Sequence, residues 1–265
     1  MSSVMARFVR RLESPFVTIR VGQGAGTRDF HVPQDILCAC SVWFTNALKQ
    51  DRFIEGAEKL IKLPEESAAT FEAFIAFAYE GLISFKRAGD MSTEARGEAF
   101  QYVLDIWNFG EKYMLPHLQD AATTTACSFL HCRDGVPWDV LGHCFEVATT
   151  ECPFRTIIAD YAAQCMHVQR EGAGPAIERH LGSADGFITA FCASQLALRS
   201  LPVGHFPRYG KPLQAGAELY KTDGHDGEWR EGFEEELGYG GSWAIPYFDC
   251  GECGLYHSDR LDASA

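Results

Sequence analysis

Long apolar runs and basic patches are both missing from this sequence. No stretch approaches the roughly 18 consecutive apolar residues that a helix needs to cross a bilayer. Positive charge is scarce, because the 265 residues include 23 Lys and Arg against 36 Asp and Glu, a formal net charge of -13. That balance repels a polyanion. We therefore expect neither a membrane nor a nucleic acid among the direct partners.

The short signatures of catalysis are missing too. There is no Gly-x-Ser-x-Gly elbow, no His-Glu-x-x-His and no kinase-type signature. The nine histidines are scattered, and His117 and His143 stand in helical patterns that favour hydrogen-bonded or solvent-facing roles. The glycine-rich stretch from Gly22 to Gly26 lies between two strand patterns and lacks Gly-Lys-Ser/Thr, so it predicts a hairpin turn and not a phosphate loop. We expect a protein that is not an enzyme.

The ten cysteines do not form the clustered pattern of a disulfide framework. Six stand among apolar residues in helix-like segments: Cys38, Cys40, Cys127, Cys144, Cys165 and Cys192. A free cysteine in such a place is commonly a small buried hydrophobe. With no secretory signal either, we expect reduced thiols and an intracellular protein of the cytoplasm or nucleus.

The first half of the chain mixes strand and helix patterns. The predicted elements are strands at 16–21 and 28–32, helices at 35–40 and 42–48, a strand at 59–63 and a helix at 71–79. Val17, Ile19 and Val21 share one face of the first strand. Ser41 is placed to cap the second helix, and Gly81 is a C-terminal stop for the third. This half therefore predicts an α+β domain.

The second half is predicted to be helical up to about residue 200. A polar loop at 86–97 comes first. The helices expected after it run from 100 to about 115, from Pro116 to 129, and at about 138–149, 154–167 and 185–199, with a flexible link at Gly172-Ala-Gly-Pro175. Pro116 is suited to the first turn of its helix. A backbone N–H in that turn has no partner within the helix, so proline, which has no N–H, loses no hydrogen bond there.

The last 65 residues lose this periodicity. Between Gly216 and Ala265 there are twelve Asp or Glu and three Lys or Arg, a net charge of -9. The aromatic residues of this stretch include Trp229, Phe233, Tyr239, Trp243, Tyr247 and Phe248, too many for a plainly disordered segment. We expect an irregular acidic tail, part of which packs on the body of the protein.

An ordered run of residues carries a family resemblance. Phe30-x-Val32, Leu37, Ser41 and Phe44 stand at the spacing F-x-V-(x4)-L-x-x-x-S-x-x-F. The run continues with Ala47-Leu48, Phe53-x-Glu55, Ile61-x-Leu63-Pro64-Glu65, Phe71-Glu72-x-Phe74 and Tyr79-x-Gly81. It resembles the BTB/POZ family over about residues 14–130. The sequence around Ser41 and Pro64 is most similar to that of BTB proteins of filamentous fungi.

The resemblance implies a domain order and a function. It implies a BTB/POZ fold at 14–130, a small sheet with helical hairpins, followed by a helical extension at 131–200 and the acidic tail at 201–265. Such a protein is a non-catalytic adaptor that forms homodimers and recruits a target protein to a cullin-type ubiquitin ligase. The alternative is a scaffold or transcription-associated oligomerisation module with no ligase link. Phe16 and Pro33-Gln34 replace charged residues that some BTB repressors use, which disfavours a repressor.

The start of the chain predicts the dimer interface. Val4, Phe8 and Leu12 repeat at i, i+4 and i+8, while Arg7 and Arg11 take another face. The segment is basic, as a transit peptide is, but its periodicity favours an amphipathic helix. BTB domains commonly dimerise through such an N-terminal helix, so the resemblance assigns these three apolar residues to the contact between two copies.

Phe53, Ile54 and Glu55 are the candidate residues for binding a cullin. They correspond to a hydrophobic-x-Glu element by which BTB adaptors resemble one another at the cullin-facing loop. An apolar residue beside an acid could dock into a groove between the partner's helices. The alternative is that Phe53 packs in the core of the domain.

One cluster of metal-ligating residues stands near the end of the chain. Cys250-Gly-Glu-Cys253 followed by His257 offers two thiolates and an imidazole to zinc. A fourth ligand would have to come from His225, Asp249 or Asp259, because there is no second Cys-x-x-Cys. The alternative is a reduced surface turn.

Overall fold

The computed structural model describes residues 9–49, 54–86, 88–130, 135–167, 170–200, 247–249 and 256–258. These residues divide into two compact units. One takes the described residues of 9–84 and 105–121, and the other takes those of 85–104, 122–200 and the two short C-terminal segments. Among all of them, no helix is both long enough and apolar enough to cross a membrane.

A three-stranded mixed sheet forms part of the first unit. Its strands are β1 (Phe16–Val21), β2 (Arg28–Pro33) and β3 (Leu60–Leu63), in the order β2-β1-β3. β1 is antiparallel to β2 and parallel to β3. The predicted alternation is confirmed, since Val17, Ile19 and Val21 are fully buried. Gly22–Gly26 joins β1 to β2, which confirms the predicted hairpin turn.

The described residues contain the predicted helices in the predicted order, together with two helices, at 54–58 and 173–181, that the sequence patterns did not predict. The helices are α1 (Gln34–Cys40), α2 (Val42–Ala47), α3 (Ile54–Glu58), α4 (Ala68–Glu80), α5 (Thr93–Lys112), α6 (Pro116–Leu130), α7 (Trp138–Val147), α8 (Pro153–His167), α9 (Ala173–Leu181) and α10 (Phe187–Ser200). Residues 9–12 are also helical. The predicted fold class is confirmed: a small sheet with helices, followed by an all-α extension at 135–200.

Aromatic rings fill the core of the first unit. Phe74 of α4 has three ring neighbours: Phe44 at 5.8 Å, Phe71 at 5.6 Å and Phe109 at 5.7 Å between centroids. All four rings are buried. Aromatic pairs at these distances add to the stability gained by burial. The helix that supplies Phe71 and Phe74 ends where predicted, at Gly81, whose φ of 71° suits glycine best.

The helices of the second unit pack against one another. α7 contacts α8 and α9, and α8 contacts α9 and α10. Gly142 of α7 lies directly against the backbone carbonyl of His180 in α9, and a Cβ atom at Gly142 would overlap that oxygen. The close approach of these two helices therefore requires glycine at this position.

The predicted polar loop at 86–97 is wrong in its second half, because α5 begins at Thr93. The Ser92 hydroxyl accepts a hydrogen bond from the Ala95 N–H at 3.2 Å and so caps the helix start. Arg96 is 3 % exposed and donates to the carbonyls of Gly135 and Met91, each at 2.8 Å. A polar sequence hides this helix start because its anchor is a buried arginine, which apolar periodicity does not reveal.

Two further predictions in the second unit are corrected. The flexible link at 172–175 is the start of α9, which begins at Ala173. Pro175 is tolerated there because the first helical turn needs no N–H donor at that position. Cys192 was expected to be buried and is exposed, whereas Cys127, Cys144 and Cys165 are buried as predicted.

Candidate interaction surfaces

A buried hydrogen bond fixes the start of α2 to the turn between α5 and α6. Ser41 Oγ accepts from the backbone N–H groups of Trp43 at 3.0 Å and Phe44 at 3.3 Å, which confirms its predicted role as a cap. The same hydroxyl donates to the carbonyl oxygen of Tyr113 at 2.6 Å. The rings of Trp43 and Tyr113 meet edge to face, with centroids 4.9 Å apart. The turn is therefore rigidly placed beside α2.

Two large apolar side chains are exposed next to this junction. Val42 follows Ser41 and is 64 % exposed, and Met114 follows Tyr113 and is 58 % exposed. Met114 has a φ of 53°, an uncommon conformation for a residue other than glycine. Exposed apolar side chains on a rigid frame are suited to contact a partner protein. The sequence patterns did not single out either residue.

Two carboxylates contact Lys112, the residue before Tyr113. Lys112 Nζ lies 2.9 Å from Glu65 Oε2 and 2.7 Å from Glu66 Oε1. Hydrogen bonding to Lys112 lowers the pKa of Glu65, and hydrogen bonds to both carboxylates raise the pKa of Lys112. The Tyr113 hydroxyl donates to Glu66 Oε1 at 2.9 Å, and burial followed by this hydrogen bond raises the pKa of Tyr113.

Lys112, Glu65 and Glu66 belong to the lining of a polar groove. Its lining residues are Glu65, Glu66, Ser67, Thr70, Asp105, Asn108, Phe109 and Lys112. Three carboxylates and one ammonium leave the groove with net negative charge. A partner that uses this surface would have to present positive charge or hydrogen-bond donors.

A second groove in the same unit is apolar. It is lined by Ala39, Cys40, Phe77, Leu115, His117 and Leu118. Burial raises the pKa of Cys40 to about 11, and the positive charge of Arg11 acts against this shift. The helical turn at 9–12 therefore lies close to Cys40.

Of the residues predicted for the dimer interface, only Leu12 lies in the described part of the chain. It is half-buried, and its neighbour Val9 is 42 % exposed. Val4 and Phe8 lie outside the described residues. The described helical turn agrees with a helix in this region, and the dimer contact itself stays a prediction.

The cullin-facing candidates fall partly outside the described residues. Phe53 lies outside them, and Ile54 begins α3, where its side chain is not described. Glu55 is exposed in the first turn of the same helix. The helix is followed by Lys59, with a φ of 53°, whose Nζ donates to Gln34 Oε1 at 2.7 Å. The chain therefore presents the Glu55 carboxylate to solvent on a short, tethered helix.

The candidate metal ligands are also mostly outside the described residues, which include neither Cys250 nor Cys253. His257 lies in β5 (Tyr256–Ser258), which pairs antiparallel with β4 (Tyr247–Asp249) and sets His257 opposite Phe248. Within the described ranges, no three His, Cys, Asp or Glu side chains form a group that could hold a metal. The zinc site stays a prediction.

Two buried thiols, Cys127 and Cys165, and the half-buried thiol of Cys38 are unsuited to nucleophilic chemistry. Burial raises the pKa of Cys127 to about 12, and it raises the pKa values of Cys38 and Cys165 as well. The thiolate, not the thiol, is the nucleophile. These cysteines are therefore protonated near neutral pH and act as packing residues.

Comparison with known protein families assigns the first part of the chain. The model of the BTB/POZ domain family matches residues 16–130. Those residues are a BTB/POZ domain, a module for protein–protein interaction, which confirms the resemblance at the level of the domain. No curated protein matches the chain. The likeness to proteins of filamentous fungi stays a prediction.

Proposed function

Because residues 16–130 form a BTB/POZ domain, we propose that this protein is a non-catalytic adaptor. In this proposal two copies associate through the BTB/POZ domain, and each brings a target protein to a cullin-type ubiquitin ligase. The observation that carries the proposal is the interaction module itself, followed in the same chain by the helices of residues 135–200. The helical extension and the tail select the target.

The surface of the first unit supports a role in binding. Val42 and Met114 are exposed, and each directly follows one of the two residues that the Ser41–Tyr113 hydrogen bond joins, so their backbone positions are fixed before a partner binds. Surfaces that are ordered in advance lose less conformational entropy on binding. Apolar anchors of this kind commonly carry most of the energy of an interface.

The short helix α3 supports the cullin assignment. Its first turn presents Glu55 to solvent, and the preceding residue, Ile54, supplies the apolar member of the pair. In the proposed complex Ile54 or Phe53 is the anchor, and Glu55 sets orientation through hydrogen bonds. Truncating a fully buried anchor often costs about 2 kcal/mol, roughly thirtyfold in affinity.

Calorimetry with the cullin of the source organism tests this proposal. The full chain should bind the cullin's N-terminal region, and the double change Ile54→Asp, Glu55→Ala should weaken binding by roughly thirtyfold. Glu58→Ala is the matched control, since Glu58 is an exposed carboxylate on the same helix. A thermal melt should confirm that every form is folded.

The two ways of failing have different meanings. If the unaltered protein shows no binding at tens of micromolar, the ligase link is wrong and the scaffold alternative stands. If all forms bind equally, the cullin is bound through other residues. Affinity purification of the full chain from its own cells, followed by mass spectrometry, identifies the target protein.

A further inference from the structure

The hydroxyl of Ser14 joins two segments of the first unit. It donates a hydrogen bond to the backbone carbonyl of Arg11 at 2.8 Å and accepts one from the backbone N–H of Asp35 at 3.0 Å. Arg11 belongs to the helical turn at 9–12, and Asp35 lies in the first turn of α1. The backbone N–H of Ser14 adds a longer bond to the Arg11 carbonyl, at 3.3 Å. One side-chain oxygen therefore closes the helical turn and connects it to α1.

The sequence around Ser14 suits a protein kinase. Ser14 precedes Pro15, and it is the only serine or threonine of the sequence that a proline follows. A residue before proline favours extended backbone, the shape in which a substrate strand enters a kinase. Proline has no N–H, so an apolar pocket without an acceptor admits proline and leaves the N–H of another residue unpaired. Ser14 is half-exposed between the exposed Glu13 and Pro15, so the site lies at the surface.

We propose that Ser14 is phosphorylated by a proline-directed protein kinase and that the phosphate opens the helical turn at 9–12. Ser14 Oγ attacks the γ-phosphorus of ATP, the bond from that phosphorus to ADP breaks, and a base of the kinase takes the hydroxyl proton. The products are ADP and phosphoserine. The turn has to open for this step, because Oγ is hydrogen-bonded on both sides. A single exposed helical turn opens far more often than a core element does.

Phosphorylation removes the donor that closes the turn. The ester oxygen carries no hydrogen, so the 2.8 Å contact between Ser14 Oγ and the Arg11 carbonyl would bring two acceptors together. The phosphate also adds a charge of about -1.5 to -2 near neutral pH. It stands beside Glu13 and at the C-terminal end of the turn, and negative charge is unfavourable in both respects. The N–H of Asp35 can still donate to the phosphate, so the change is confined to the turn.

The opened turn contains Leu12. Phosphorylation therefore acts on the segment assigned above to the contact between two copies, a consequence that rests on the proposed homodimer. The modification of Ser14 and the opening of its turn do not rest on it, since both concern a single copy of the chain. Measurements on Ser14 and on the turn therefore distinguish a failure of this proposal from a failure of the proposed adaptor function.

In vitro phosphorylation of the full chain tests the site. A purified mitogen-activated protein kinase with ATP should add one phosphate per chain, located at Ser14 by peptide mass spectrometry. Ser14→Ala should take up none. Pro15→Ala keeps the acceptor hydroxyl and should slow the reaction by about tenfold or more, because the new N–H finds no acceptor in the kinase pocket. An unaltered protein without phosphate at Ser14, or an equal rate for Pro15→Ala, would overturn the assignment.

Hydrogen exchange measures the opening of the turn. In protein phosphorylated at Ser14, the backbone amides of residues 10–14 should exchange about fivefold faster, the effect of losing one net hydrogen bond. The strand Phe16–Val21 is the internal reference and should not change. Ser14→Ala taken through the same incubation controls for the treatment. Unchanged rates would contradict the opening. Slower exchange would contradict it too, because a guanidinium of Arg10 or Arg11 would then hold the phosphate and close the turn.

Discussion

Ser41 and Tyr113 are 72 residues apart in the chain, and a hydrogen bond of 2.6 Å joins the hydroxyl of one to the backbone carbonyl of the other. The same hydroxyl caps α2. One buried oxygen atom therefore serves the start of a helix and the contact between that helix and a distant turn.

Replacing Ser41 with alanine should destabilise the protein. The change removes the helix cap and leaves the Tyr113 carbonyl without this donor, so the free energy of unfolding should fall by about 1–3 kcal/mol. Urea denaturation followed by circular dichroism measures it. Ser14→Ala is the control, because Ser14 Oγ also accepts a backbone N–H, that of Asp35, but at an exposed site. If both variants lose the same free energy of unfolding, the buried hydrogen bond of Ser41 contributes no more to stability than the exposed one of Ser14.

Stability should fall in alkaline solution because of buried thiols. Burial raises the pKa of Cys127 to about 12, above the value of an exposed thiol. The folded state therefore keeps its proton while the unfolded state loses one, so this contribution to stability is complete below about pH 8.5 and is lost as pH rises toward 12. The loss is about 1.4 kcal/mol per pH unit within that window.

The variant Cys127→Ala isolates this effect. It also loses packing, so the quantity to compare is the slope of the unfolding free energy between pH 9 and pH 11, not its value. The slope should be shallower in the variant than in the unaltered protein. Identical slopes would mean that Cys127 ionises equally in the folded and unfolded states.

The sheet and most helices could be predicted from local patterns. Val17, Ile19 and Val21 alternate because one face of β1 is buried, and Gly81 ends α4 because glycine adopts the left-handed conformation easily. The start of α5 could not be predicted in this way. Its anchor, Arg96, contacts the carbonyl of Gly135, 39 residues away, and no local pattern carries that information.

The candidate surfaces were harder to predict from the sequence. Val42 and Met114 look like ordinary apolar residues, and only the Ser41–Tyr113 bond shows that they lie beside one junction. Cys192 stands in an apolar helix and was expected to be buried. It is exposed because α10 packs through its other side, which the composition of the helix does not indicate.

The tail should hold zinc if Cys250, Cys253 and His257 are its ligands. Under reducing conditions the purified protein should then contain about one zinc ion per chain, and Cys250→Ser with Cys253→Ser should abolish it, since thiolates supply two of the ligands. Elemental analysis after expression with zinc supplied measures the ratio. Protein without metal would identify the segment as a reduced surface turn.

Self-association is the property that both the ligase adaptor and the scaffold require, and light scattering on the full chain measures it directly. At micromolar concentration the protein should have twice the chain mass of 29.4 kDa. Phe8→Glu with Leu12→Glu should shift it toward the mass of one chain while the thermal melt stays cooperative, because two buried charges oppose the contact. A single-chain mass for the unaltered protein would contradict the account.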